Sequence, residues 1–226
     1  MLKEKMQNYW NEISPDYRMQ YHDHIDEEIG MMKMLFAEYL PDSKLTVLDI
    51  GTGLGIQAIT FAELGHEVTA LDFSNEMLQR AKKQAESRNI SIHFVQGDAE
   101  DLPFEESSFD IIINMHLLWT LTDHEKFLKE CGRVLKNGGR IFSVDGRWYL
   151  PDNPNPGEKP ADFIKELPLY CSNTPEKVAE LFENNGLKNV FWKYLPEYAD
   201  YMLKHDRNGY KNNYHAVPYF VTAEKK

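Results

Sequence analysis

Short apolar runs alternate with helical patterns of apolar and polar residues between positions 44 and 148. Between the runs, apolar residues recur three and four positions apart, as one face of a helix requires. Strands that alternate with helices of this length predict a parallel sheet with helices packed on it. The runs that predict strands lie at 45–50, 67–71, 90–95, 110–114 and 140–144.

Further elements are predicted within this region and on either side of it. Thr122 and Glu125 have the spacing of a capping box, and Gly138–Gly139 indicates where the helix that follows it stops. The segments 149–173 and 196–215 follow neither pattern and are expected to be irregular. The remaining predicted elements are helices at 24–40 and 174–186 and strands at 187–194 and 216–222.

The residues that most clearly indicate a ligand site stand at the end of the first predicted strand and directly after it. Asp49 precedes three alternating glycines, Gly51, Gly53 and Gly55, and a helical pattern begins directly afterwards. Glycine lets a backbone approach a ligand closely, and a helix start presents free N–H groups. A dinucleotide site needs the spacing G-x-G-x-x-G, and Ile56 stands where its third glycine would be. Asp49 would repel a pyrophosphate, so it suits a ligand with a cationic amino group.

Two further acids follow the next two strands. Asp72 directly follows the run at 67–71, where a carboxylate can accept hydrogen bonds from both hydroxyls of a ribose. Asp98 stands in the sequence Gly97-Asp98-Ala99, directly after the run at 90–95. The site is expected at the carboxyl ends of the parallel strands, where ligands bind in open α/β sheets.

With the glycine loop and both acids in this order, residues 40–148 resemble the class I S-adenosylmethionine-dependent methyltransferases, in the branch that acts on small molecules. The resemblance implies S-adenosylmethionine as the cofactor and S-adenosylhomocysteine as the product. It implies that the glycine loop holds the methionine part, Asp72 the ribose and Asp98 the adenine amino group. The residues expected to bind the cofactor are Asp49, Gly51, Thr52, Gly53, Gly55, Asp72, Phe73, Met77, Gly97, Asp98, Ala99, Asn114 and Tyr17.

The fold implied by the resemblance is α/β and Rossmann-like. It consists of a doubly wound, mostly parallel sheet of seven strands with an antiparallel last strand, plus N-terminal helices. Residues 1–41 are expected to form a helical cap over the cofactor, and residues 42–226 the Rossmann-like methyltransferase domain. The irregular insertions at about 149–173 and 196–215 would cover the pocket and set its specificity.

The residues after the fourth strand are expected beside the transferred methyl group, which makes His116 the first catalytic candidate. An imidazole can take a proton from a hydroxyl, thiol or ammonium group, and the alternative is a histidine that only forms a hydrogen bond in the loop or to the substrate. Trp119 either stacks on the substrate or belongs to the core. Arg147 either holds a carboxylate or phosphate of the substrate or forms a surface salt bridge. Tyr21, like Tyr17, either shapes the pocket or packs as a surface aromatic.

Composition narrows the substrate class. The chain has 25 Lys and Arg against 36 Asp and Glu, and a formal net charge of −11 disfavours a nucleic-acid partner. The residues after the fourth strand also lack the Asn-Pro-Pro-Tyr sequence of methylases that act on base or glutamine amino groups. The methyl acceptor is therefore expected to be a small molecule, with an oxygen, nitrogen, sulfur or carbon nucleophile left open.

The chain has no run of 18 apolar residues and no secretory apolar region, so a cytoplasmic protein without membrane association is expected. Either a monomer or a homodimer is compatible with the sequence. Cys131 and Cys171 fit no metal-binding spacing and are expected to be reduced, buried thiols. No metal site is expected at His22-Asp23-His24 or at His205 and His215.

The predicted reaction is in-line transfer of a methyl group, in which the protein positions the two reactants and excludes water. The alternative from another class is a sensor or partner module that binds the cofactor without transferring the methyl group. A nicotinamide-dependent dehydrogenase is disfavoured by the glycine spacing and by Asp49.

Overall fold

The computed structural model describes residues 2–15, 17, 24–148, 161–205 and 217–226. In this part of the chain the helices are α1 (Leu2–Ile13), α2 (Ile25–Ala37), α3 (Ile56–Glu63), α4 (Asn75–Ser87), α5 (His124–Val134), α6 (Pro175–Asn184) and α7 (Pro196–Lys204). The strands are β1 (Thr46–Ile50), β2 (Glu67–Asp72), β3 (His93–Gln96), β4 (Phe109–Met115), β5 (Leu135–Asp145), β6 (Lys188–Tyr194) and β7 (Tyr219–Glu224).

The strands form one sheet in the order β3-β2-β1-β4-β5-β7-β6. The first five strands in this order, from β3 to β5, pair with their neighbours in parallel. The strand β7 lies between β5 and β6 and is antiparallel to both. This confirms the prediction of a Rossmann-like, doubly wound sheet with an antiparallel last strand. The strand order reverses between β1 and β4, where Ile50 pairs with Asn114, so a crevice is expected at the carboxyl ends of these two strands.

The sheet is apolar on both faces because successive side chains of a strand point to opposite sides. In β4, Ile112 packs in one cluster with residues of α5 and α6, whereas Ile111 and Ile113 pack in another with residues of α2 and α3. Over the second face, Phe36 of α2 and Phe61 of α3 have ring centroids 5.0 Å apart. The helix α2 therefore belongs to the main core of the molecule.

The predicted start of α5 is wrong by one residue. The N-cap is Asp123, whose carboxylate accepts a hydrogen bond from Lys126 N at 2.9 Å. Thr122, expected to form a capping box with Glu125, instead donates its hydroxyl to Glu100 at 2.9 Å. Glu100 is a buried carboxylate that requires hydrogen-bond donors, and the Thr122 hydroxyl is one of them.

The predicted end of α5 is also wrong. The helix ends at Val134, and Leu135 already pairs with Phe109 as the first residue of β5. Gly138–Gly139 therefore lies within a strand, next to the irregular register between β5 and β4. Leu135 is fully buried, so its packing in the core outweighs the helical spacing that its position suggested.

The segment 196–215, expected to be irregular, begins with α7. Pro196 stands in its first turn, and Tyr198, Tyr201 and Met202 are buried at helical spacing. The expectation of irregular structure is wrong for 196–204, because the tyrosines there recur at helical spacing and pack as one face of a helix. The rest of that segment, with Tyr210 and Tyr214, lies outside the described residues apart from His205.

The segment 149–173 is described from residue 161 onwards. This part contains a short 3₁₀ helix at Asp162–Glu166, and Ile164, Leu167 and Leu169 are buried. It therefore packs against the rest of the molecule. Among the described residues, no helix combines the length and the apolar character that a membrane span requires.

Candidate cofactor and substrate site

The glycine loop follows β1 at the switch point of the sheet. The N–H groups of Gly51 and Thr52 donate to Leu71 O at 2.8 and 3.0 Å, which holds the loop against the end of β2. Gly51 has a φ of +71°, and a Cβ atom there would lie 2.8 Å from Leu117 Cδ1. A side chain at position 51 would therefore displace Leu117.

A cavity opens at this edge of the sheet, with about 820 Å³ of empty space when its mouth is included. The predicted site residues that line it are Tyr17, Gly51, Gly53, Asp72, Phe73, Met77, Gly97, Asp98, Ala99 and His116. Lining residues to which the sequence prediction gave no role include Lys3, Met6 and Glu100. Met115 and Leu117, which also line the cavity, belong to the stretch after the fourth strand that was expected beside the methyl group.

Asp72 reaches the cavity from the end of β2. Its Oδ2 atom accepts a hydrogen bond from Gly53 N at 2.8 Å, and its Oδ1 atom accepts one from Ser74 N at 2.9 Å. Each oxygen of a carboxylate has two lone pairs, so both can still accept a ribose hydroxyl. Burial raises the pKa of Asp72 to about 6, although the hydrogen bonds from Ser74 and Gly53 oppose that shift.

Asp49 lies beneath the glycine loop and does not line the cavity. It is 1% exposed, and its Oδ2 atom accepts hydrogen bonds from Thr52 Oγ1 at 2.6 Å and from Ala58 N at 3.0 Å. The carboxylate therefore ties the loop to the N-terminus of α3, where the helix dipole favours a negative charge. Burial raises the pKa of Asp49 to about 7, and the nearby Asp72 adds to this rise.

Three other residues of the predicted cofactor set also lie away from the cavity surface. Thr52 and Gly55 belong to the underside of the loop, and Asn114 is fully buried in β4. The Asn114 amide accepts a hydrogen bond from Ser143 Oγ at 2.7 Å and donates to Phe142 O at 3.4 Å. Asn114 thus links β4 to β5 beneath the site.

Of the predicted substrate residues that the structure describes, His116 lines the cavity and Trp119 and Arg147 do not. Trp119 is 8% exposed and packs in an apolar cluster with Met6 and Ile164, a placement that matches the core alternative. The Nε atom of Arg147 donates to Cys171 O at 2.8 Å, and Arg147 does not line the cavity. Tyr21 lies outside the described residues. Cofactor and substrate roles of all these residues stay predictions.

The N-terminal helix α1 contacts the acids at the Asp98 end of the cavity. Lys3 Nζ lies 2.6 Å from Asp98 Oδ2 and 2.6 Å from Glu100 Oε2. Burial lowers the pKa of Lys3, but hydrogen bonds to these two carboxylates outweigh burial and raise the pKa overall. The Glu100 carboxylate also accepts hydrogen bonds from the N–H groups of Thr122 and Asp123. No local pattern around residue 3 signals this contact, because its partners lie more than 90 residues away.

His116 follows β4 and lines the cavity with a side chain that is 13% exposed. Its φ of +57° is a left-handed conformation in which histidine is found more often than most residues. The Nε2 atom lies 3.3 Å from Tyr198 Oη, and the Nδ1 atom lies 4.0 Å from Asp145 Oδ1. Burial raises the pKa of Asp145 to about 6, opposed by hydrogen bonds from Gly146 N, Trp148 Nε1 and other donors.

Three side chains that do not line the cavity are arranged so that they could hold a metal ion, although the sequence predicts no metal site. Ligand atoms of His24, Glu27 and His205 lie within 4.8 Å of one another. Lys204 Nζ lies 2.9 Å from Glu27 Oε1, and its charge opposes a cation at this place.

Cys131 is buried and Cys171 is only half-buried, so the expectation that both thiols are buried is wrong for Cys171. Outside the described residues lie His22, Asp23 and His215.

The fold and this cavity define a class of protein. A doubly wound sheet with a glycine loop after β1 and an acid after β2 binds nucleoside-containing ligands at its switch point. The residues fit S-adenosylmethionine, since Gly51 and Gly53 line the cavity without side chains and both Asp72 oxygens can receive ribose hydroxyls.

Sequence comparisons identify the family. Residues 48–143 match a family described as a methyltransferase domain. The uncharacterized methyltransferase YcgJ of Bacillus subtilis (strain 168) is 36% identical over 129 residues, which cover 57% of this chain and 49% of that protein. The demethylmenaquinone methyltransferase of Lactococcus lactis subsp. lactis (strain IL1403) is 33% identical over 204 residues, which cover 87% of this chain and 73% of that protein. The chain therefore spans about half the length of the first relative and nearly three quarters of the second.

A solved structure shows the same fold at lower identity. Phosphoethanolamine N-methyltransferase 2 of Haemonchus contortus, in complex with S-adenosyl-L-methionine, superposes with a TM-score of 0.71 at 19% identity. The superposition covers 97% of this chain and 60% of that one. Together with the sequence relatives, this likeness confirms the resemblance: the chain belongs to the class I S-adenosylmethionine-dependent methyltransferases.

Proposed function

We propose that this protein transfers a methyl group from S-adenosylmethionine to a small-molecule acceptor. The observation that carries the proposal is that His116 lines the same cavity as Gly51, Asp72 and Asp98. The cavity thus combines residues suited to a nucleoside with a side chain that can take a proton. The negative net charge of the chain supports a small acceptor rather than a nucleic acid, and a cytoplasmic monomer or homodimer is part of the same proposal.

The cofactor would be held mainly by backbone and carboxylate groups. Asp72 would accept the ribose hydroxyls, Asp98 the adenine amino group, and the backbone at Gly51 and Gly53 would contact the methionine part. Asp49 would support that loop from beneath, through its bonds to Thr52 and Ala58. When bound, the sulfonium supplies an electrophilic methyl carbon, and the chain supplies orientation and exclusion of water.

His116 would take the proton that the acceptor loses on methylation, a role that typically accelerates a reaction by about 10²–10⁴-fold. The lining of the cavity includes the apolar side chains of Met115, Leu117 and Trp10. These side chains favour an acceptor with an apolar or ring-bearing body and one ionisable group. The name of the Lactococcus relative, a demethylmenaquinone methyltransferase, supports an acceptor of this kind.

The experiment that tests the proposal is thermal unfolding of the purified protein alone and with S-adenosylmethionine, S-adenosylhomocysteine or NADH. A ligand at 100 times its dissociation constant adds about 2.7 kcal/mol to the free energy of unfolding. For a chain of this length, Tm should rise by roughly 5–10 °C with either sulfur ligand and should not change with NADH. Acceptor candidates are then screened for methylated product.

The outcomes separate the alternatives. A rise in Tm without product from any ring-bearing acceptor would favour the binding module over the enzyme. An unchanged Tm with both sulfur ligands at saturation would contradict the cofactor assignment, and a rise with NADH instead would point to a nicotinamide site.

A further inference from the structure

Lys3 is the one lysine or arginine among the described residues that line the cavity. It lies on α1 with Met6 and Trp10, which stand three and seven positions further along the helix and also line the cavity. Residues at this spacing share one face of a helix, so this face of α1 is turned towards the cavity. The helix α1 thus brings a cation to the cavity beside Asp98.

The ammonium group of Lys3 has more donors than its two carboxylate partners require. Its Nζ atom lies 2.6 Å from Asp98 Oδ2 and 2.6 Å from Glu100 Oε2. Burial lowers the pKa of Lys3, yet the hydrogen bonds to both carboxylates raise it overall, so the group stays protonated at neutral pH. A protonated lysine has three N–H donors. One donor therefore remains once both carboxylates have received a hydrogen bond.

Asp98 offers an acceptor next to this donor. Its Oδ1 atom accepts a hydrogen bond from Glu100 N at 2.8 Å, and its Oδ2 atom accepts one from Lys3. Each carboxylate oxygen has two lone pairs, so Asp98 can still accept from a ligand. A donor and an acceptor 2.6 Å apart are complementary to a ring edge with an amino group next to a ring nitrogen. Adenine has such an edge, whereas a purine with a carbonyl in place of the amino group presents two acceptors.

Glu100 holds the ammonium group in place beside Asp98. Its side chain is 3% exposed, and its Oε1 atom accepts hydrogen bonds from Thr122 N at 2.7 Å and Asp123 N at 2.9 Å. A carboxylate fixed in this way limits the rotamers of the lysine that it binds. Since the side chain is already ordered, a ligand that contacts Lys3 Nζ loses less affinity to the ordering of that side chain.

We propose that Lys3 binds the cofactor directly: its remaining N–H donates to a ring nitrogen beside the adenine amino group, while Asp98 accepts from that amino group. The inference rests on the proposed function for the identity of the cofactor. Lys3 and Asp98 then recognise the base as a donor and acceptor pair, so α1 contributes to base specificity. A lysine that only docks α1 would not make binding depend on a ring nitrogen.

The test measures dissociation constants by calorimetry, with the full chain and ligands that lack single ring nitrogens. S-adenosylhomocysteine is compared with its 1-deaza and 7-deaza analogues, which replace the two nitrogens beside the amino group with carbon, and with the 3-deaza analogue, which replaces a distant one. In the wild type, the 1-deaza or the 7-deaza analogue should bind about 10-fold more weakly than S-adenosylhomocysteine, through loss of a charge-assisted hydrogen bond. In Lys3→Met the same replacement should change the affinity by less than about 2-fold, because the donor is gone.

Lys5→Met is the matched control, since Lys5 is exposed on the same helix. It should depend on the ring nitrogen as the wild type does, and the effect of the 3-deaza replacement should be equal in all three proteins. Weaker docking of α1 in Lys3→Met lowers the affinity for every ligand by the same factor, so it cancels in the comparison of analogues.

The outcomes are distinct. A wild type that binds both the 1-deaza and the 7-deaza analogues as tightly as S-adenosylhomocysteine would overturn the inference. So would a loss of equal size in Lys3→Met, which would assign the contact to another donor. A protein that shows the Lys3 dependence but methylates no acceptor contradicts the proposed transfer and leaves this contact standing. A wild type that does not bind S-adenosylhomocysteine contradicts the cofactor assignment and this inference together.

Discussion

Asp49 and Asp72 stand near the ends of neighbouring strands, yet only Asp72 lines the cavity. The register explains the difference, because Asp49 pairs with Ala70 and Asp72 lies two residues further along β2. Two residues of a strand span about 7 Å, so Asp72 reaches the carboxyl edge while Asp49 stays beneath the loop. At the scale of single residues, register places one acid at the cavity and the other beneath the loop.

His116 carries the first residue-scale prediction. His116→Asn should lower turnover by about 10²–10⁴-fold, because the amide cannot take a proton from the acceptor. Asparagine tolerates the left-handed backbone at this position, so the fold should persist. The rise in Tm with S-adenosylhomocysteine should equal that of the wild type.

The control is His93→Asn, at an exposed position of β3. It should keep full turnover. Unchanged turnover in His116→Asn would rule out the base role and leave the cofactor assignment standing.

At the scale of elements, α1 lines the cavity with apolar side chains and also forms polar contacts with residues far from it in sequence. Lys3 bonds to Asp98 and Glu100, and Gln7 Nε2 donates to Phe73 O at 2.9 Å. Phe73 and Asp98 are both predicted to bind the cofactor, so α1 contacts two residues of the predicted cofactor site.

Lys3→Met should weaken the docking of α1 while the sheet stays intact. Glu100 is 3% exposed and loses its cationic partner, whereas Lys3 is one third exposed, so the loss is expected to be about 1 kcal/mol after screening by solvent. Hydrogen exchange of the backbone amides in Leu2–Ile13 should become faster, with no change in β1 and β4.

Lys5→Met is the matched control, since Lys5 is exposed on the same helix. It should leave exchange in α1 unchanged. Equal exchange in Lys3→Met and the wild type would mean that apolar contacts of α1 alone hold the helix.

At the scale of the whole molecule, three carboxyl groups in and around the site have pKa values that burial raises. The pKa is about 7 for Asp49 and about 6 for both Asp72 and Asp145, from an ordinary value of 3.8. Between pH 4 and pH 7 the folded state therefore binds more protons at these groups than the unfolded state does. Their contribution to stability is present at the acid end of this window and is lost as pH rises.

The free energy of unfolding of the protein without ligand should thus fall between pH 5 and pH 7. Each group contributes a decrease of at most about 1.4 kcal/mol per pH unit while it titrates only in the folded state. Urea unfolding at a series of pH values measures the slope. Asp145→Asn should flatten it by removing one titrating group.

Carboxyl groups with lowered pKa values, such as Asp110 and Glu130, act in the opposite direction. Their effect is confined to lower pH, below about 4.5, because it requires protonation of the unfolded chain. His66 and His124, whose pKa values burial lowers, also act in the opposite direction, and they do so within the window from pH 5 to pH 7. The comparison of slopes is therefore decisive: a slope in Asp145→Asn equal to that of the wild type would contradict the raised pKa of Asp145.

Much of the fold was predictable because its signals are local. The strands β1, β2 and β4 lie within a residue or two of the predicted runs, since fully buried parallel strands are apolar throughout. The two misses at the ends of α5 come from tertiary contacts. Leu135 and Thr122 followed helical signals, but burial in the core and a bond to Glu100 decided their structure.

Periodicity and short spacing specify the alternation of strands and helices, the glycine loop and the position of Asp72 at the end of β2, so these features are readable from the chain alone. Which site residues meet depends on the packing of elements that are distant in sequence. Lys3 contacts Asp98 across 95 positions, and Tyr198 joins His116 and Glu28 across 82 and 170. The physical reason is that such contacts depend on how helices pack on the two faces of the sheet, and no local pattern in the chain encodes that packing.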